Sequence, residues 1–239
     1  VALAIAHVAA LYEGSNGWQL PATYGLLTLA TLYDARTARR SGLMVPVLAA
    51  AGGSAAVWAA GAGPEWWAYP LVGGGLAVAA SFRFWVSEEA YAKYGWVVAL
   101  GLALAPAAFS PAYTHAPWHG MVGFLATASV FGLAGAFSNG ALAVLARQTA
   151  QRAAHAERMA LAGAGSLAGF AALAYGLEGG GIERIAGAWV FVGVGMSCWL
   201  VLTVLRQRLD MMDEVFGPVG LVAVVIGAVA GLPEIGRAH

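Results

Sequence analysis

Three of the five histidines, His7, His115 and His119, fall in or beside apolar segments rather than in charged loops. Neutral imidazole binds transition metals and haem iron, and a polar ring in an apolar setting must find a partner. His7 and His119 are therefore predicted to hold a cofactor: haem b, a metal ion or a quinone. The alternative for either ring is a capping or interfacial hydrogen bond.

His115 and His119 are four positions apart, a spacing that suits one metal ion if both lie on one helix. Pro117 stands between them and predicts that His115 precedes the helix. Glu13 and Glu65 are candidates to complete such a metal site. The alternative is that these carboxylates are solvated charges at the rim of the protein.

Two further pairs are candidates for lining a cavity. Ser138 and Asn139 are a strongly polar pair inside a long apolar segment, and Trp66-Trp67 follows a Gly-rich turn. The alternative for Ser138 and Asn139 is that they form hydrogen bonds to neighbouring helices. The alternative for the tryptophans is that their amphipathic rings lie at a membrane surface.

The elements that must position these residues are apolar helices. Of 239 residues, 60% are hydrophobic and only 10% are charged, whereas a soluble domain carries about a quarter charged residues. The mean hydropathy is +0.73. This much apolar surface predicts an all-α, polytopic integral membrane protein in contact with the lipid bilayer. The net charge of zero and the lack of a basic patch argue against nucleic acid as a partner.

A helix needs about 20 residues to cross a bilayer, and that length predicts eight to nine spans. They cover residues 1–12, 20–35, 43–60, 66–84, 94–109, 118–145, 159–177, 185–205 and 215–232. The first is short. The sixth is long enough to tilt or to break, and the weakest point lies at 138–140.

The basic residues predict the orientation. Ten of the twelve Lys and Arg residues fall on one face of this threading, in loops predicted at 35–42, 83–93, 147–158 and 206–214. Such loops stay cytoplasmic, which predicts the bacterial cytoplasmic (inner) membrane, with the N-terminus inside and, for nine helices, the C-terminus outside. The turns at 13–19, 61–65, 110–116 and 178–184 are then external, on the side of the histidines.

The order of features predicts a parallel duplication of a four-helix unit. Residues 18–110 form the first unit and 118–232 the second, with an extra helix at 1–17 and a tail at 233–239. In each unit an external Glu precedes a helix that ends in Arg, an acidic inner loop and an aromatic-Gly pair. Membrane proteins with parallel repeats share this plan.

Residues 117–145 place His119 at the outer start of a long Gly/Ala-rich helix, with Trp66-Trp67 on the same face. This arrangement resembles the haem-handling proteins of cytochrome c assembly and the four-helix units of haem–copper oxidases. The resemblance covers about 30 residues and implies a haem role for His119 and, beyond it, for His7.

Three functions follow as hypotheses. The first is a membrane subunit of a redox or cofactor-handling system, such as electron transport, with its site near the external face. The second is a small-molecule transporter built from two four-helix repeats. The third is a structural or assembly subunit of a larger membrane complex, with other membrane subunits or copies of itself as partners.

Overall fold

The computed structural model describes residues 17–37, 42–85, 89–137, 150–205 and 212–235. Within these ranges every regular element is a helix. The α-helices are α1 (Gln19–Thr37), α2 (Met44–Ala59), α3 (Ala68–Trp85), α4 (Glu89–Ala103), α5 (Ala105–Ala108), α6 (Pro117–Phe137), α7 (Ala150–Gly179), α8 (Arg184–Leu205) and α9 (Met212–Ile235). Two 3-10 turns, Pro64–Trp66 and Ser110–Thr114, precede α3 and α6. The all-helical prediction is confirmed for this part of the chain.

Among the described residues, two stretches are long and apolar enough to cross a membrane by length and composition, Pro117–Gly135 in α6 and His155–Gly179 in α7. Shorter apolar stretches lie at Met44–Ala59, Tyr94–Ala108, Arg184–Leu200 and Gly217–Ala230. Eight of the nine predicted segments overlap helices in the described part of the chain. The first segment, 1–12, and the predicted weak point at 138–140 lie outside the described residues.

Helices extend into the predicted basic loops, which corrects the predicted boundaries. The loop predicted at 147–158 is helical from Ala150, because α7 begins there and continues without interruption to Gly179. Likewise, α4 begins at Glu89 and α9 at Met212, inside the predicted loops. Charged residues end an apolar span but do not end a helix, since Arg, Gln, Glu and Ala all favour the helical backbone.

The predicted span 94–109 is not one helix. It is interrupted at Leu104, between α4 and α5, because Pro106 lacks the N–H that would continue the ladder. The interruption leaves the carbonyl of Ala103 without its usual helical donor, and the Thr127 hydroxyl of α6 donates to that oxygen at 2.7 Å. Thr127 is only 4% exposed. This bond joins α6 to the end of α4.

The helices pack as neighbours along an array. The α1 helix packs on α2, α2 on α3, and α3 on both α4 and α6, while α6 packs along α7. The larger core lies where α3, α4, α6 and α7 meet. Its buried side chains include Val78, Trp96, Val130 and Leu161. A smaller core of Phe170, Phe191 and Ala223 joins α7, α8 and α9.

The turns after α2 and α7 have the same hydrogen-bond pattern. Ala62 N donates to the carbonyl of Val57 at 3.2 Å, and Ile182 N donates to that of Leu177 at 3.0 Å. The residue before each donor is a glycine with positive φ, 75° at Gly61 and 66° at Gly181. Both helices therefore end in the glycine-dependent cap that reverses the chain.

The last two helices form a close pair through small residues. A Cβ on Gly195 would lie 2.6 Å from the carbonyl oxygen of Gly220, and one on Gly227 would lie 2.7 Å from that of Ala188. These contacts repeat every seven residues along both helices, which keeps the small side chains on one shared face. The backbones approach closely because no side chain separates them.

Candidate functional site

His119 lies in the first turn of α6, a helix that starts with Pro at its first position. The backbone N–H of His119 donates to the carbonyl of Ala116 at 3.0 Å. His115 ends the preceding 3-10 turn, so it comes before the helix as Pro117 predicted. The imidazole of His119 is consequently fixed at one end of the bundle, beside the start of α3.

The side chain of His119 is positioned by Tyr69 and Trp66, and we call these three residues the histidine cluster. The Tyr69 hydroxyl lies 3.0 Å from Nδ1 of His119. The Trp66 ring meets the imidazole edge-on, with centroids 4.4 Å apart and planes at 70°. Among the described residues, Nε2 of His119 has no hydrogen-bond partner. The ring is thus held through one nitrogen, and the other is available to a ligand.

A second group of rings, the tyrosine cluster, stands beside the histidine cluster and consists of Tyr113, Phe124 and Tyr175. Tyr113 meets Tyr175 edge-on at 5.8 Å, and Phe124 stacks on Tyr175 at 5.6 Å. The Tyr175 ring lies flat against Gly120, where a Cβ would stand 2.7 Å from the ring. These contacts fix the first turns of α6 against α7.

Tyr113 is 1% exposed. Burial, together with charge repulsion from the neighbouring phenols of Tyr69 and Tyr175, raises the pKa of its phenol to about 12. A buried phenol of this kind stays neutral under physiological conditions.

No hydrogen bond or ring contact joins His119 to Glu65 or His115, the two other metal candidates that the structure describes. The Glu65 carboxylate folds back over the backbone of Gly63 in its own turn, and His115 is exposed. No group of three or more His, Cys, Asp or Glu side chains able to hold a metal comes together within the described ranges. His7, Glu13, Ser138 and Asn139 lie outside those ranges, so the predictions for them stay predictions.

Trp66 and Trp67 have different surroundings. Trp67 Nε1 donates to the carbonyl of Ala62 at 3.0 Å, its own carbonyl accepts from the Ser54 hydroxyl at 2.9 Å, and its ring meets Phe109. The Trp67 ring also lines a cleft of about 320 Å³ between α1, α2 and the start of α3. The lining residues are Leu20, Tyr24, Ala51, Ser54, Ala55, Trp58, Trp67 and Leu71.

Sequence reasoning missed Tyr69, Tyr113 and Glu157. Tyr69 lies 50 positions from His119, and a contact over that separation leaves no pattern in a single sequence. Tyr113 could have been found from its position between two prolines, in a turn next to the candidate histidines. Glu157 is 8% exposed within α7, at a position where the surrounding charged residues predict a loop.

Comparison of the chain with protein-family models, with curated proteins and with solved structures finds no match.

Proposed function

We propose that the chain is a polytopic integral membrane protein that holds a redox cofactor near its external face. The cofactor is haem, a metal ion or a quinone. The observation that carries this function is the histidine cluster, in which Tyr69 and Trp66 fix the His119 ring while Nε2 remains open. A histidine that binds a cofactor is typically oriented by a hydrogen bond at the ring nitrogen that does not contact the ligand.

The exposed surface of the helices supports a lipid environment. Large apolar side chains are exposed at both ends of the helix array, including Leu26 (70%) in α1 and Trp189 (70%) and Leu200 (66%) in α8. Soluble monomers rarely expose contiguous apolar patches of this kind. Hydrocarbon tails would solvate these side chains, and the low content of charged residues agrees with that environment.

The proposed duplication and orientation rest on two observations. The second helix of each four-helix unit ends in the same glycine cap, at Gly61 and at Gly181. Of the described basic residues, Arg36 lies in the last turn of α1 and Arg152 in the first turn of α7, each at the opposite end of the helices from these caps. Basic inner loops would put the caps, and with them His119, on the outer side of a bacterial cytoplasmic membrane.

The cofactor can be tested on protein purified in mild detergent. Absorbance spectra with and without dithionite, metal analysis and organic extraction for quinones would each detect one class. We expect one of the three at close to one per chain, and its loss in His119→Ala. His115→Ala is the matched control, because that ring is exposed and not in the cluster. A protein with none of the three, or equal retention in both variants, would disprove the function.

The topology can be tested by cysteine labelling. In a Cys198→Ala background, Glu183→Cys and Arg152→Cys introduce single thiols at the two proposed faces. An impermeant maleimide should label position 183 in intact cells and position 152 only after permeabilisation. The reverse pattern would refute the orientation, and recovery of the protein in the soluble fraction would refute the membrane assignment.

A further inference from the structure

We propose that the ligand of the histidine cluster is the headgroup of a quinone, whose carbonyl oxygen accepts a hydrogen bond from Nε2 of His119. This inference rests on the proposed function and names the ligand of the same site. It is carried by three features of the cluster: the Tyr69–His119 hydrogen bond, the exposed indole of Trp66, and the ligand set available around the imidazole.

The first feature determines which nitrogen carries the proton. A neutral imidazole has one donor and one acceptor nitrogen, and the Tyr69 hydroxyl is 3.0 Å from Nδ1. A phenol donates a hydrogen bond better than it accepts one, because its oxygen lone pair is delocalised into the ring. With Tyr69 donating to Nδ1, the imidazole proton is on Nε2. The free nitrogen is then a donor, which complements a carbonyl oxygen.

The second feature is a flat, electron-rich surface beside that donor. Trp66 is 48% exposed although it contacts both His119 and Tyr69. Its indole therefore keeps an open surface next to the imidazole. A quinone ring is flat and electron-poor, so it stacks favourably on an indole, whose face carries negative charge density. One donor and one stacking surface are sufficient to orient a six-membered ring with two opposite carbonyls.

The third feature is what surrounds the imidazole. A protein-bound metal ion commonly takes three or four protein ligands, and the described residues offer no group of three candidates. The Glu65 carboxylate is directed onto Gly63 instead. A metal or haem iron would also require the lone pair on Nε2, which is the opposite tautomer from the one favoured by a donating Tyr69. A carbonyl ligand requires neither a second protein ligand nor a change of the His119 tautomer.

Calorimetric titration of the detergent-purified protein with decylubiquinone tests the inference. We expect saturable binding close to one per chain and an affinity at least tenfold lower for His119→Ala, equivalent to about 1.4 kcal/mol. His119→Gln should recover part of that loss, because its amide N–H₂ still donates. Tyr69→Phe should weaken binding two- to tenfold, and His115→Ala should leave it unchanged. Far-ultraviolet circular dichroism checks that each variant is folded.

The outcomes separate this inference from the proposed function. A Soret band or stoichiometric metal that His119→Ala abolishes, with no saturable quinone binding, would overturn the quinone and retain the cofactor site. Equal quinone affinity in wild type and His119→Ala would also overturn it. If no haem, metal or quinone binds, the inference and the proposed function both fail. Recovery by His119→Gln supports a donated hydrogen bond, because a glutamine cannot replace an imidazole ligand of iron.

Discussion

The Tyr69 hydroxyl and Nδ1 of His119 are 3.0 Å apart although the two residues are separated by 50 positions in the chain. The bond joins the first turn of α3 to the first turn of α6. It fixes the orientation of an imidazole whose other nitrogen is open. The Trp66 ring contacts both Tyr69 and His119, so the three side chains form one cluster.

Removing the Tyr69 hydroxyl should destabilise this end of the bundle. Tyr69→Phe keeps the ring and loses the bond to Nδ1, so we expect a cost of about 0.5–1.5 kcal/mol. Unfolding by sodium dodecyl sulfate in mixed micelles, followed by circular dichroism, measures it. Tyr33→Phe is the matched control, since Tyr33 is an exposed residue of α1 and should show no change. Equal effects of the two substitutions would contradict the importance of the bond.

The hydroxyl of Thr127 should contribute more to stability. Thr127→Val preserves the shape of the side chain but leaves the buried Ala103 carbonyl without the donor described above, which costs about 1–3 kcal/mol. The same unfolding measurement applies. Ser129→Ala, two positions along on the exposed side of α6, should stay within about 0.5 kcal/mol of wild type. A neutral Thr127→Val would show that the interruption at Leu104 needs no external donor.

The contact between α8 and α9 should not accept a methyl group. In Gly195→Ala the new Cβ would collide with the Gly220 carbonyl, and overpacking of this kind costs about 1–3 kcal/mol. Gly193→Ala is the control, because nothing lies within 4 Å of a Cβ there, and alanine is the better helix former. We therefore expect opposite signs for the two variants in the unfolding measurement. Destabilisation of the same size in both would refute the close approach.

Alkaline titration should reveal the buried phenol of Tyr113. Its pKa is raised from 10.0 to about 12, by burial first and then by Tyr69 and Tyr175. The folded state therefore favours the neutral phenol, so this contribution to stability is present below pH 10.0 and is lost as the pH rises through about 12. Phenolate absorbance should show a late-titrating tyrosine that Tyr113→Phe removes. Titration of every tyrosine near its ordinary pKa would contradict the burial.

The helices were predictable from the sequence because each apolar segment is long and is bounded by Gly, Pro or charged residues. Their ends were less predictable. The predicted apolar segment begins near Met159 and does not indicate that α7 extends back to Ala150, since a polar helical turn and a polar loop have similar compositions. Pro106 is compatible with the interruption at Leu104, but the residues on both sides are apolar, so hydropathy alone predicts one continuous segment.

The geometry around the candidate site was predictable only in part. His119 could be identified because an imidazole at the start of an apolar helix is unusual, and Pro117 correctly excluded His115 from that helix. The partners of His119 could not be identified. Tyr69 and Trp66 look like ordinary interfacial aromatics in the sequence, and their role depends on how α3 packs against α6, which no local pattern encodes.

The small-residue pairing of α8 with α9 has a consequence for assembly in the bilayer. The described part of α8 packs mainly on α9, and the pair joins the rest of the array mainly through α7. The two helices can thus pair as a hairpin before they dock on α7. A chain truncated at Ile182 should still elute as a folded particle from size exclusion, and aggregation would show that the hairpin is instead required from the outset.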